Sequence, residues 1–108
     1  MKLKIERGAR DDVLDVALKY EKDQTGLGTR FLLAYKGCLR SIHGFPRSFP
    51  LFEAAGDREF RVCHIKPFSY VAVFEVRKDD LVLVAVDHVR HGRRHWKRRL
   101  TRRSPEEE

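Results

Sequence analysis

LVLVAVDHVRHGRRHW, residues Leu81 to Trp96, is the stretch on which the fold turns. Leu81 to Val86 is an unbroken, valine-rich apolar run, the mark of a strand covered on both faces and therefore flanked by other strands. From His88 onward the chain turns cationic. A buried strand ending in a dense Arg/His cluster holds positive charge rigidly at a sheet edge.

Outward from this run, Lys78-Asp79-Asp80 is a turn, and Tyr70 to Val76 before it alternates, so the two strands form a hairpin. Tyr70, Ala72, Phe74 and Val76 fall on one face, Val71 and Val73 on the other, and Glu59 to Ile65 supplies a third strand. At the other end Lys2 to Glu6 alternates charged and apolar residues, the pattern of a half-buried strand that Gly8 ends. A sheet of about four strands, mainly antiparallel, follows.

Between these strands the period changes. Leu14, Ala17 and Leu18, with Val13, Val16 and Tyr20 beside them, define a helix from Arg10 or Asp11 to about Asp23, with Asp11 and Asp12 in its first turn. Gln24 to Gly28 breaks it, with Gly26 as a C-terminal cap. Phe31, Tyr35, Cys38 and Ile42 recur at helical spacing, predicting a second helix from Leu27 to Gly44 that Pro46 and Pro50 terminate. Two helices with one apolar stripe each make an antiparallel hairpin whose apolar side must pack on the sheet. Residues 43–57 form a connection in which Phe45, Phe49, Leu51 and Phe52 are expected to anchor the loop to the core. The fold class is therefore α+β: an N-terminal strand and a helical hairpin on a mainly antiparallel sheet.

The hairpin can cover one sheet face only. The second face, carrying Val71 and Val73 and alternate residues of the last strand, Val82 and Val84, is expected to lie open as a docking surface for another protein or a second copy.

With 108 residues the chain is a single domain, residues 1–100, followed by a charged tail, residues 101–108, expected to be disordered. No apolar run approaches the roughly 18 residues of a membrane span, and the N-terminal residues lack a signal-peptide core, so a cytoplasmic protein is expected. Cys38 and Cys63 fall inside regular elements and read as buried, reduced thiols. The net charge is +7, and its surplus is concentrated C-terminally: residues 87–103 hold eight Lys/Arg against Asp87 alone. Such a field favours an anionic partner, nucleic acid or an acidic protein surface. A solvated, partnerless basic end is the competing reading. No Gly-rich phosphate loop, metal-spaced His/Cys set or nucleophile triad is present, so neither cofactor nor metal is expected.

Several short motifs follow one another in order: Leu27-Gly28-Thr29-Arg30-Phe31 at a helix start, Phe45-Pro46 after that helix, Arg58 opening a strand, Phe68-Ser69-Tyr70 opening the next, and Ala85-Val86-Asp87-His88 with Trp96 beyond. Together they resemble the RelE/ParE family of bacterial toxins from type II toxin–antitoxin, or plasmid-stabilisation, modules, over Lys2 to about Arg99. Three positions depart from the pattern: Ser69 where proline is common, His91 where arginine is common and Arg93 where proline is usual.

The resemblance implies two helices on a twisted antiparallel sheet, with the C-terminal segment of a cognate antitoxin wrapping the toxin in a hetero-oligomer. It also implies one of two activities. ParE-like members resemble gyrase poisons that stall the cleaved DNA complex without cutting anything themselves. RelE-like members resemble ribosome-dependent endoribonucleases that cleave messenger RNA. For cleavage, the cations would come from Arg58, Arg61 and Arg90 and the acid or base from His88, His91 or His95, imidazole titrating near neutrality. All three tyrosines, Tyr20, Tyr35 and Tyr70, precede the last strand, so the C-terminal tyrosine of many RelE-like nucleases is missing. The sequence therefore favours the ParE side, with Arg90, Arg93, Arg94, Trp96, Lys97, Arg98 and Arg99 as the expected target-binding set, and an inactive or general nucleic-acid-binding domain as a third, weaker alternative. Trp96 reads more readily as a packing anchor for the tail than as a base-stacking platform, His88 equally as a structural histidine, and Arg58 and Arg61 also as partners of strand carboxylates.

Overall fold

The computed structural model describes residues 1–55 and 57–91, the side chains of residues 53–55 excepted. The chain runs β1 (Lys2–Ile5), α1 (Arg7–Asp23), α2 (Leu27–Gly44), a 3₁₀ turn (Pro46–Ser48), β2 (Leu51–Ala55), β3 (Arg58–His64), β4 (Tyr70–Val76), β5 (Asp80–His88) and a second 3₁₀ turn (Val89–His91). One sheet holds all five strands in the order β1-β5-β4-β3-β2. Only β1, which the helical hairpin carries back across the sheet, runs parallel to its neighbour, Leu3 lying beside Leu81 and Ile5 beside Leu83. β5 is thus an interior strand, as its apolar run requires.

The sheet has five strands where about four were expected. The addition is β2, which pairs antiparallel with β3. It lies within the expected connection because Leu51 to Ala55 is short and stands between Pro50 and Gly56, and edge pairing to β3 overrides that weak local signal. Of the four residues expected to anchor this segment, Phe49 and Phe52 pack on the two apolar clusters. Phe45 and Leu51 are exposed.

Both helices lie on one face. Phe31, Tyr35, Cys38 and Ile42 of α2 are buried with Cys63, Ile65, Ala72, Phe74, Val76, Leu81, Leu83 and Val86. α1 begins at Arg7, so Gly8 belongs to the helix rather than ending the strand, and neither Asp11 nor Asp12 lies in its first turn. Its buried residues are Ala9, Val13, Val16 and Ala17, whereas Leu14 and Leu18, expected to face inward, are 54% and 63% exposed. Nearly every position from Val13 to Leu18 is apolar, so periodicity alone leaves two faces open. Packing selects the face with the smaller residues, which bring the helix axes closest to their neighbours.

That close approach is tightest at Gly28, where an added Cβ would stand 2.4 Å from the Ala17 carbonyl oxygen. The turn between the helices has Gln24 as the C-cap of α1 and Gly26, in the left-handed conformation at φ 89°, immediately before α2. Gly26 is therefore the N-cap of α2, two residues beyond the C-cap of α1, and not the C-terminal cap expected of it. The Glu21 carboxylate reaches over the turn and accepts from the backbone N–H groups of Gly26 (2.8 Å) and Gly28 (3.0 Å). An anion on two otherwise orphaned amides at a helix N-terminus is favoured by both hydrogen bonding and the helix dipole.

The second face carries Phe60, Val73, Val82, Val84 and Ala85, with Phe52, Val62 and Val71 packed against them. The four valines expected there do share this face, but they are not open to solvent. Val73, Val82 and Val84 are at most 2% exposed and Val71 is half-buried. Phe52 from the unforeseen strand and Val62 extend the cluster, and the Arg58 guanidinium lies 5.0 Å over the Phe60 ring. Burying such side chains is worth about 1.5–3 kcal/mol each, so this face is a second small core.

No helix among the described residues is long and apolar enough to cross a membrane.

Candidate functional site: the end of the last strand

A bulge in β5 determines what the end of that strand presents. Val73 pairs with Ala85 but Phe74 pairs with Leu83, so Val84 is an extra residue. Before it Leu81 and Leu83 face the helices and Val82 the far side; Val84 and Ala85 then both join the far cluster, and Val86 returns to the helical side. One inserted residue inverts the alternation for everything after it. His88 consequently points to the helical side and Asp87 to the other.

His88 there completes an aromatic block. Its ring stands edge-on to Tyr70 at 5.1 Å, and Tyr20, Phe31 and Phe68 join Tyr70 with centroids 4.9–6.1 Å apart. The residues that motif reading singled out at three separate places, Phe31, Phe68 with Tyr70, and His88, are therefore one packed unit at one end of the sheet. Burial, with a smaller Coulomb contribution from Asp87, pushes the Tyr70 hydroxyl above its ordinary pKa. Burial, then Tyr70, does the same for Tyr20.

Beyond the strand, Val89 N–H donates to Ser69 O and Arg90 N–H donates to His88 Nδ1, both at 3.0 Å. The second bond requires an unprotonated Nδ1, which makes His88 a structural cap on the turn that aims the exposed Arg90 outward. Asp87 is buried, and its Oδ1 accepts from His88 N–H at 2.9 Å and meets His91 Nδ1 at 2.6 Å. Asp87 is the residue that sequence reading missed here. Its signal was an acid four positions before a histidine, a spacing that brings the two side chains together once the chain coils. A second polar contact missed earlier is that of Asp12, whose carboxylate accepts from Val86 N–H at 3.0 Å. β1 accompanies β5 only as far as Leu83, the last contact being Glu6 N–H to Leu83 O. Asp12 satisfies the donor that β1 leaves uncovered.

The candidate nuclease residues fall into two groups: His88, Arg90 and His91 share the end of β5, the His88 and His91 rings 5.9 Å apart, but Arg58 and Arg61 do not join them. Arg58 lies beside the row Glu59–Val76–Leu81, whereas His88 pairs with Tyr70 at the other end of the sheet, roughly 20 Å away along the strands. Arg58 and Arg61 also occupy opposite faces. Arg58 makes a two-pronged pair with Glu75, Nε to Oε2 at 2.9 Å and Nη2 to Oε1 at 3.1 Å, and Arg77 adds a third contact at 3.2 Å. Glu75 is buried, so this network compensates a charge inside the second core. Arg61 donates to Glu59 at 2.6 Å and to the Phe49 carbonyl at 2.5 Å, with Arg47 on the other Glu59 oxygen at 3.2 Å. Burial opposes ionisation of Glu59, but the bonds from Arg61 and Arg47 outweigh it and hold the carboxyl below its ordinary pKa. Both arginines are thus engaged in holding strands and loop together. Arg93, Arg94, His95, Trp96, Lys97, Arg98 and Arg99, with the tail at 101–108, lie outside the described residues. Among the described residues no group of three or more His, Cys, Asp or Glu is placed to hold a metal.

Residues 3–96 match the family model described as ParE toxin of the type II toxin–antitoxin system, parDE. The chain belongs to the ParE toxin family. A solved chain described as the chromosomal ParDE TA system from P. aeruginosa shares the fold, with a TM-score of 0.61 at 15% identity over 82% of this chain and 95% of that one. No curated protein matches the sequence. The ParE fold accounts for the motif order: Gly28 sets the interhelical approach, and Phe31, Phe68, Tyr70 and His88 lock the end of β5.

Proposed function

We propose that this ParE-family chain arrests bacterial growth by poisoning DNA gyrase in the cytoplasm and is neutralised by a cognate antitoxin in a hetero-oligomeric complex. The observation that carries gyrase over messenger RNA is that two of the three would-be nuclease cations, Arg58 and Arg61, lie apart from the His88, Arg90 and His91 turn, which leaves Arg90 alone beside the histidines among the described residues. General acid–base cleavage needs cations and a proton-transferring group within hydrogen-bonding reach of one phosphate. Here Arg58 and Arg61 sit on opposite faces, both committed to carboxylates, far from His88 and His91. A poison that works by binding requires no such convergence. The cations offered to the target are Arg90, exposed on its 3₁₀ turn, and the sequence run Arg93, Arg94, Lys97, Arg98 and Arg99 with Trp96.

Among the described residues, the helical hairpin offers an antitoxin exposed apolar side chains that the second sheet face does not. Leu14 and Leu18, four apart on α1, and Leu33 on α2 are all exposed. Inducing the chain in a bacterium tests the proposal. Filamentation with a DNA-damage response, relieved by co-expressing the antitoxin, is expected. Arg94→Glu with Arg98→Glu removes the arrest while antitoxin binding persists, and Leu14→Glu with Leu18→Glu weakens antitoxin binding in a folded chain. Abrupt translation arrest with cut messages, or unaffected growth, overturns the gyrase assignment.

A further inference from the structure

We propose that Cys38 and Cys63 are an oxidation site, at which a small peroxide converts the two thiols into an intramolecular disulfide tying α2 to β3. The two residues come from different elements and are both free thiols. Their sulfurs lie 2.9 Å apart, and the Cys38 thiol also donates to the His64 carbonyl at 3.3 Å. A disulfide bond is about 2.05 Å long, so the sulfurs must close by roughly 0.9 Å, the scale of a side-chain adjustment at a helix–sheet contact. The shared hydrogen bond holds the Cys63 thiol below its ordinary pKa. The same bond, together with burial, pushes Cys38 up.

The pair is 7% and 6% exposed, which restricts the oxidant to something the size of a peroxide and bars bulky disulfide reagents. The Cys63 thiolate attacks one peroxide oxygen, the O–O bond breaks, and the departing hydroxide takes up the thiol proton as water. Cys63 is then a sulfenic acid. The Cys38 sulfur attacks the Cys63 sulfur, the S–O bond breaks, and a second water leaves with the Cys38 proton. Two thiols and one peroxide become one disulfide and two waters. With the second sulfur already in contact, the closing step is intramolecular and outruns further oxidation. The resulting link closes a 25-residue span, residues 38 to 63, and chiefly restricts the unfolded chain.

The test treats the full-length protein with hydrogen peroxide, denatures it, alkylates it with N-ethylmaleimide and weighs it. Expected are a chain lighter by two hydrogens with neither cysteine alkylated, a cross-linked peptide pair on digestion, reversal by dithiothreitol, and a melting midpoint higher by roughly 5 °C or more. Cys38→Ser should accumulate sulfenic or sulfinic acid at Cys63, whereas Cys63→Ser should leave Cys38 largely unoxidised. The wild-type measurement decides the matter even if a variant fails to fold. Full alkylation at peroxide concentrations that oxidise free cysteine, sulfinic acid at both positions, or cross-linking between chains overturns the proposal.

Discussion

Gly28→Ala should destabilise this protein far more than its single added methyl suggests. The new Cβ would lie 2.4 Å from the Ala17 carbonyl oxygen and 3.0–3.1 Å from Glu21. A comfortable carbon–oxygen contact is about 3.3 Å, so α1 and α2 must part by roughly 0.9 Å. The obstacle is backbone and cannot swing aside. Overpacking of this kind costs about 1–3 kcal/mol. The displacement also strains the two bonds from Glu21 to the Gly26 and Gly28 amides, adding on the order of 1 kcal/mol at a partly exposed site. The total of ~2–4 kcal/mol corresponds to a drop in melting midpoint of about 10 °C or more for a domain of this size. Gly37→Ala is the matched control. It lies mid-helix on α2, its added Cβ meets only the end of the Arg40 side chain at 3.9 Å, and relief of the glycine penalty should stabilise by about 0.5–1 kcal/mol. Thermal melts of both variants against wild type settle the point. If Gly28→Ala melts with or above Gly37→Ala, the interhelical approach is not what that glycine provides.

Asp12→Ala leaves the Val86 N–H buried without its acceptor, at a cost of about 1–3 kcal/mol. Amide exchange at Val86 should accelerate while Asp12→Asn largely preserves protection, and equal protection in all three proteins would sink the assignment. Glu59 has a depressed folded-state pKa, so its ionised form favours folding. That contribution is complete above the ordinary glutamate range near ~4.3 and disappears as pH falls through the lower folded value. The stability difference between wild type and Glu59→Gln, measured by denaturant titration across acidic pH, should therefore shrink as pH drops below that range. A difference independent of pH would remove the arginine pair from the account.

Much of the architecture is written in local pattern. The alternation at residues 70–76 and the four-three-four spacing in α2 reach the same boundaries in the folded chain, and the apolar run from Leu81 continues to His88 with one residue, Asp80, added from the expected turn, because each signal is long. The signal fails where it is short or degenerate. β2 was invisible because an edge strand of five residues owes its pairing to β3 rather than to its own propensities. The inward face of α1 cannot be read from periodicity because Val13 to Leu18 is apolar nearly all round, and only the close fit of Ala9, Ala17 and Gly28 selects a side.

The site divides in the same way. The residues themselves, from Phe31 to Tyr70 to His88, could be chosen from the sequence, since their types and order suffice for the family. What they face could not. A single unpaired residue, Val84, reverses the side on which Asp87 and His88 emerge. Long-range carboxylates, Asp12 on Val86 and Glu75 on Arg58, settle which polar groups are occupied. Composition and spacing are properties of neighbours along the chain, whereas register and charge pairing arise only when segments tens of residues apart are brought to within a few ångströms.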